Sequence, residues 1–127
     1  MAESETQTVK LVRPADAGGD GLDGLWNDDF HHSAIVALTG KREAYYSDHH
    51  GTPQELIYAA RRGYLFQGQR YAWQKQPRGT RADGVPGPAF ITYIENHDQV
   101  ANAGDGLRVR FHTSPGRFRA MTDVPLK

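Results

Sequence analysis

Cysteine is absent from the 127 residues, so neither a disulfide framework nor a thiolate metal site or nucleophile is available. The fold rests on packing alone. A net charge is missing too, because fifteen Lys and Arg residues balance fifteen Asp and Glu residues. No summed field of one sign steers such a chain toward nucleic acid or an anionic membrane, whereas a neutral polar ligand is compatible with it. Long hydrophobic runs are also lacking. The opening MAESETQTVK has no apolar core of the kind a signal peptide needs, and no later run is long enough to span a bilayer. The expectation is a soluble, cytoplasmic protein with neither membrane nor nucleic acid as a partner.

The chain that remains has the length of one ordinary domain. Residues 4 to 24 are polar and end in GGDGLDG, a composition that predicts a connection, because glycine loses much backbone freedom on ordering. From Asp29, the run DFHHSAIVALTG places Phe30, Ala34, Ile35, Ala37 and Leu38 at helical spacing, with Asp28 or Asp29 as cap and Gly40 as stop. Thr52 and Glu55 then form a capping-box pattern around Pro53, followed by the stripe Leu56, Ile57, Ala59 and Ala60 before Gly63. Residues 67 to 88 show no apolar periodicity and read as a functional or disordered connection. AFITYI, residues 89 to 94, is apolar and β-branched, as expected of a strand covered on both faces in a parallel sheet. SPGRFRAMT, residues 114 to 122, opens a last helix. No internal repeat or low-complexity tract is present.

Chemistry concentrates directly after the predicted strand, in Glu95, Asn96, His97, Asp98 and Gln99. Parallel α/β folds build sites at that edge, since the strand fixes the backbone while the next turn aims side chains into a crevice. The plainer reading is a helix cap or polar turn, and position alone leaves both open. A metal reading draws on Asp28, Asp29, His31, His32, His49 and His50. Adjacent histidines diverge on a helix and no pair stands at i, i+4, so no metal is expected. The stretch 68 to 79 interleaves Tyr71 and Trp73 with Gln, Lys and Arg, a pattern that also suits single-stranded nucleic acid. The zero net charge counts against nucleic acid there.

The string YIENHDQVAN resembles the fourth signature region of the α-amylase superfamily, in which a strand of a (β/α)8 barrel delivers an Asn-His-Asp triplet into the sugar cleft. Four blocks in order, LWNDDFHHSAIVALTGKREAYYSD, GYLFQGQRY, NHDQVAN and TSPGRFRAMT, resemble the maltooligosyltrehalose trehalohydrolase family of glycoside hydrolases. The resemblance implies an α/β chain that is part of a (β/α)8 barrel, from about the fifth strand to the start of the seventh helix. Residues 1 to 127 would then be a fragment of a catalytic barrel with no complete domain boundary inside, since a whole barrel takes roughly 250 residues. Two open edges would expose backbone and apolar faces, and poor solubility, self-association or partial disorder is expected.

Residue by residue, the resemblance makes Asp98 the carboxylate that binds substrate hydroxyls and stabilises the transition state, with His97 as its sugar-binding neighbour and Asn96 and Gln99 beside them. Glycosidic cleavage passes through an oxocarbenium-like state, which a fixed anion stabilises. Ala2-Glu3-Ser4 resembles the site of the general acid, making Glu3 the second catalytic residue; it needs an enclosed site to hold its proton. Trp26 is expected to stack on a glucose ring while Asn27, Asp28, Asp29 and His31 meet hydroxyls; Tyr71 is a further sugar contact. The family's nucleophile precedes the general acid and has no counterpart in these residues, so the chain alone is expected to be inactive. The implied ligand is maltooligosyltrehalose or a related α-glucan, with no cofactor. A non-catalytic saccharide-binding module, or another α-glucan hydrolase or transglycosylase, are the rival readings.

Overall fold

The computed structural model describes residues 1 to 124. In chain order its regular elements are β1 (Leu25–Trp26), α1 (Asp28–Thr39), α2 (Pro53–Arg62), β2 (Arg70–Tyr71), β3 (Gln76–Pro77), β4 (Phe90–Ile91), α3 (His97–Asn102) and α4 (Pro115–Asp123), joined in part by short 3-10 turns. β1 pairs in parallel with β4, Leu25 opposite Phe90 and Trp26 opposite Ile91. Ala2 adds a parallel bridge to Leu25, so three stretches of chain run side by side in one direction. β2 and β3 form a separate antiparallel hairpin.

The helices begin where short polar side chains satisfy the free amides of a first turn. Asn27 caps α1, its side-chain oxygen accepting from the Phe30 amide at 3.1 Å, so the cap lies one residue before the aspartates expected to serve. Gly40, at φ 72°, closes α1 in the left-handed conformation that a glycine adopts without a Cβ penalty. Thr52 caps α2 by accepting from the Glu55 amide, as its spacing predicts. The reciprocal half of that capping box is not made. The Glu55 carboxylate instead accepts from the amides of His50 and Gly51 and from the Ser33 hydroxyl, tying α2 to α1. Ser114 caps α4 with Pro115 in its first turn.

Two apolar clusters hold these elements. Phe30, Ala34, Ile35 and Leu38 of α1 meet Leu56 and Ala59 of α2 and Met121 of α4. Complete burial of Phe30 alone contributes roughly 1.5–3 kcal/mol. Val9, Val12, Leu25, Tyr64 and Ala82 form the second cluster, on the side of the strands. The stretch 4 to 24 is therefore more than a connection: it forms two 3-10 turns, Val9–Val12 and Ala15–Ala17, and the first of them seats two buried valines.

Two further expectations are corrected. The strand predicted over 89 to 94 is laddered only at Phe90 and Ile91, whose side chains are half-buried, because β1 is its single neighbour. Beyond Ile91 the chain leaves the ladder, with Tyr93 turned to Asp28 and the Ile94 carbonyl to His31. The stretch 67 to 88 is ordered, since buried Tyr71 and Arg78 anchor the hairpin and Gly79 donates to the Thr6 carbonyl at 2.8 Å. A Cβ on Gly79 would lie 1.9 Å from the Phe66 carbonyl oxygen, so the close approach requires glycine.

Candidate functional site

The parallel ladder sets the site. Glu3 follows the bridged Ala2, Asp28 lies two positions past the end of β1, and Asn96 to Gln99 begin five positions past the end of β4. These three stretches leave the same edge of the sheet, and Glu3, Glu5, Trp26, Asp28, Tyr93 and Asp98 line one cavity of about 110 Å³. An adjoining hollow of about 430 Å³ shares Glu5, Asp28, Asp98 and Gln99 and extends to His32, Tyr45, Trp73, Gln74 and Arg78. Together they make an acidic, aromatic-walled groove.

Asp98 lies in the first turn of α3, partly exposed, and its Oδ1 stands 3.1 Å from Nε2 of the exposed His97. Of the two readings of the stretch after the strand, the helix cap is the one the side chains make directly. Asn96 caps α3 by accepting from the Asp98 amide, and Gln99 returns a side-chain oxygen to the Asn96 amide, a complete capping box. Their side-chain oxygens thus serve the backbone first, and the cap fixes where Asp98 emerges. Glu3 is exposed, not enclosed.

Along α1 the predicted contacts separate. Asp28 faces the groove and accepts a 2.5 Å hydrogen bond from the Tyr93 hydroxyl. Burial pushes the Asp28 carboxyl above the usual carboxylate range, against the opposing pull of Tyr93 and Arg78. Trp26 is half-buried, its ring edge-on to Tyr93 at 4.8 Å, with the groove beside it.

Four expected sugar contacts are instead interior. Asn27 is fully buried, its amide donating to the Ala59 carbonyl while its oxygen caps α1. Asp29 is fully buried and accepts from Gln7 Nε2 at 2.7 Å, the Phe66 amide at 2.8 Å and Arg78 Nε at 3.2 Å, with His49 Nε2 also at 3.2 Å. Burial raises its proton affinity, but His49, Arg78 and Gln7 outweigh that, and its carboxyl ends below the ordinary range. His31 is fully buried, with Nδ1 donating to the Ile94 carbonyl and Nε2 accepting from the Tyr46 hydroxyl at 3.4 Å. Burial lowers its pKa to about 4, so the ring is neutral at pH 7. Tyr71 is buried, donating to the Tyr45 carbonyl beneath the Arg78 guanidinium, whose carbon lies 4.8 Å from the ring centre.

Asp29, His32 and His49 present possible ligand atoms within 4.8 Å of one another. Arg78 already places a cation on the same carboxylate, and a divalent ion added there would meet its repulsion. His32 is neutral at pH 7, its pKa lowered by burial and then by His31, His49 and Arg78. Trp73, one of the two aromatics singled out in the stretch 68 to 79, walls the groove; Glu5, Tyr45, Gln74, Arg78 and Tyr93 also wall it and are not evident as contacts from the sequence. Tyr93 was hidden inside an apparent strand, and the others sit in stretches without periodicity.

Among the described residues no helix is long and apolar enough to cross a membrane. No family model matches the chain. It is 42% identical over 97 residues to a malto-oligosyltrehalose trehalohydrolase of Deinococcus radiodurans, covering 75% of this chain and 16% of that protein. It is 34% identical over 109 residues to the same-named protein of Saccharolobus solfataricus, covering 86% of this chain and 19% of the relative. A Salmonella typhimurium crystal structure described as an alpha amylase superposes with a TM-score of 0.83 at 33% identity, covering 94% of this chain and 21% of that one. The chain thus spans about a fifth of the length of the relatives it matches, and over that length it is similar to one segment of the malto-oligosyltrehalose trehalohydrolases, in an α/β arrangement of the alpha-amylase type.

Proposed function

We propose that this segment forms one wall of the catalytic groove of a glycoside hydrolase that cleaves the α-1,4 bond next to the trehalose end of maltooligosyltrehalose. One observation carries the reading: Glu3, Asp28, Asp98 and Trp26 line a single cavity at the edge from which three parallel stretches of chain emerge. That arrangement is what the fifth to seventh strands of a (β/α)8 barrel would provide. Asp98 serves as the anion that accepts substrate hydroxyls and stabilises positive charge at the sugar ring. Glu3 serves as the general acid once the groove is enclosed, because a solvated carboxylic acid gives up its proton before the leaving oxygen can take it. Asp28 accepts hydroxyls beside Asp98, and Trp26, Tyr45 and Trp73 offer faces or edges for sugar rings.

Retaining hydrolysis needs a second carboxylate as nucleophile, and residues 1 to 127 hold no match to it. The segment by itself therefore binds saccharide without turnover, and water becomes the acceptor only when the nucleophile is supplied. Calorimetric titration with maltotriosyltrehalose, run beside an assay for released trehalose, tests this. Binding without release is the expected result, with loss of affinity in Asp98→Asn. A folded chain that binds no saccharide, or binds it equally well after Asp98→Asn, overturns the proposal. Preference for plain maltotriose over the trehalose-capped sugar would move the assignment to an α-glucan hydrolase of the alpha-amylase kind.

A further inference from the structure

Tyr93 lines the smaller cavity and touches two of its other walls, Asp28 and Trp26. Its hydroxyl donates to Asp28 Oδ1 at 2.5 Å, its ring meets the Trp26 ring edge-on at 4.8 Å, and it stacks on His31 at 4.9 Å with 5° between planes. The next residue, Ile94, gives its carbonyl to His31 Nδ1. One phenol thus joins the end of β1, the first turn of α1 and the backbone that leads into Asn96 and Asp98. Among the described residues no other side chain or amide donates to the Asp28 carboxylate.

We infer that Tyr93 is a positioning residue: its hydroxyl sets the Asp28 carboxylate against the cavity, and its ring registers the turn bearing Asp98 to Trp26. The part that concerns ligand affinity rests on the saccharide reading above. The phenol remains protonated, and so remains a donor, because burial and the neighbouring Asp28 both oppose its ionisation. The charged groups around Asp28 come from every packed element: Glu3 and Glu5 from the amino-terminal stretch, Asp29 on α1, Arg78 after β3, and Asp98 on α3. Most of these are acidic, so without a donor Asp28 would keep its proton to higher pH or rotate away.

The test uses the 127-residue chain, with the Asp28 side-chain carbon followed by NMR across pH and maltotriosyltrehalose affinity followed by calorimetry. In Tyr93→Phe the rings stay packed but the donor is lost, so Asp28 titrates at higher pH and affinity falls about tenfold. In an Asp28→Asn background the same change alters affinity less than about twofold, as coupling through one carboxylate requires. Read from the other side, Asp28→Asn lets the Tyr93 hydroxyl ionise at lower pH. An unchanged Asp28 titration in Tyr93→Phe overturns the inference, as does an equal loss of affinity with and without Asp28. If the parent chain binds no saccharide, the functional reading fails while the two titrations still decide whether Tyr93 governs Asp28.

Discussion

Asp28 and Asp29 are neighbours in sequence and opposites in the structure. Asp28 looks into the groove and has one protein donor, whereas Asp29 is sealed from solvent among Gln7, His49, Phe66 and Arg78. One step along a helix turns a side chain by about 100°, which separates a groove wall from the interior. The two carboxylates teach that the acidic residues of this chain are placed in two ways: one set leaves oxygens open to the groove, and the other holds the loops that shape it. Arg78 shows the second placement plainly, since it pairs with Asp29 and donates to the Glu5 carbonyl, fixing the stretch that follows Glu3.

The comparison breaks most visibly at Asp29. Removing it leaves the buried Arg78 guanidinium without its carboxylate, so Asp29→Ala should cost about 3–5 kcal/mol in urea unfolding. Asp98→Asn, at the exposed wall, should stay within about 0.5 kcal/mol of the parent by the same measurement. Equal costs would erase the distinction between the buried Asp29 cluster and the groove.

Acid should then attack the interior before the groove. The His31 imidazole binds a proton near pH 4 when folded and near 6.5 when unfolded, so between those values the unfolded state holds more protons. Stability contributed by the neutral ring is present above about pH 6.5 and is lost as pH falls toward 4, by about 3 kcal/mol for this one group. Urea midpoints that stay level from pH 7 to 4 would contradict the buried placement of His31. The depressed carboxyl of Asp29 adds a further loss at still lower pH, where it takes up its proton in the folded state.

On the groove side, Asp98→Asn should weaken saccharide binding about tenfold or more, the size of losing one charged hydrogen bond. Asp29→Asn, compared at a pH where it remains folded, should weaken binding less, acting only through loop placement. The smallest effect is expected far from both regions. Thr52→Ala removes the cap of α2 and should cost about 1 kcal/mol in stability with no change in binding.

Much of the fold was legible because it is local. Helical spacing from Phe30 to Leu38, the Thr52–Pro53 start and the glycine stops depend on neighbours in sequence, and α1 and α2 lie within a residue of expectation. The start of α3 was readable as a cap or as a site, and Asn96 and Gln99 form the cap there, with Asp98 in the first turn. The ordered hairpin after residue 67 was not legible, because it is anchored by Tyr71 and Arg78 through partners 26 to 73 positions away. Ile57, Tyr58, Leu107 and Phe111 are exposed, and self-association of the chain in sedimentation is a further expected outcome.

By itself, then, the sequence determined the helix starts and stops, the neutral charge, the lack of thiol chemistry and the Asn-His-Asp block, since each is a matter of residue type and short-range spacing. Only the tertiary structure decided which of Asn27, Asp28, Asp29 and His31 meets the groove, and that Tyr93 reaches Asp28 across 65 positions. Those outcomes depend on which side of a helix the parallel strands cover, and no local pattern carries that information.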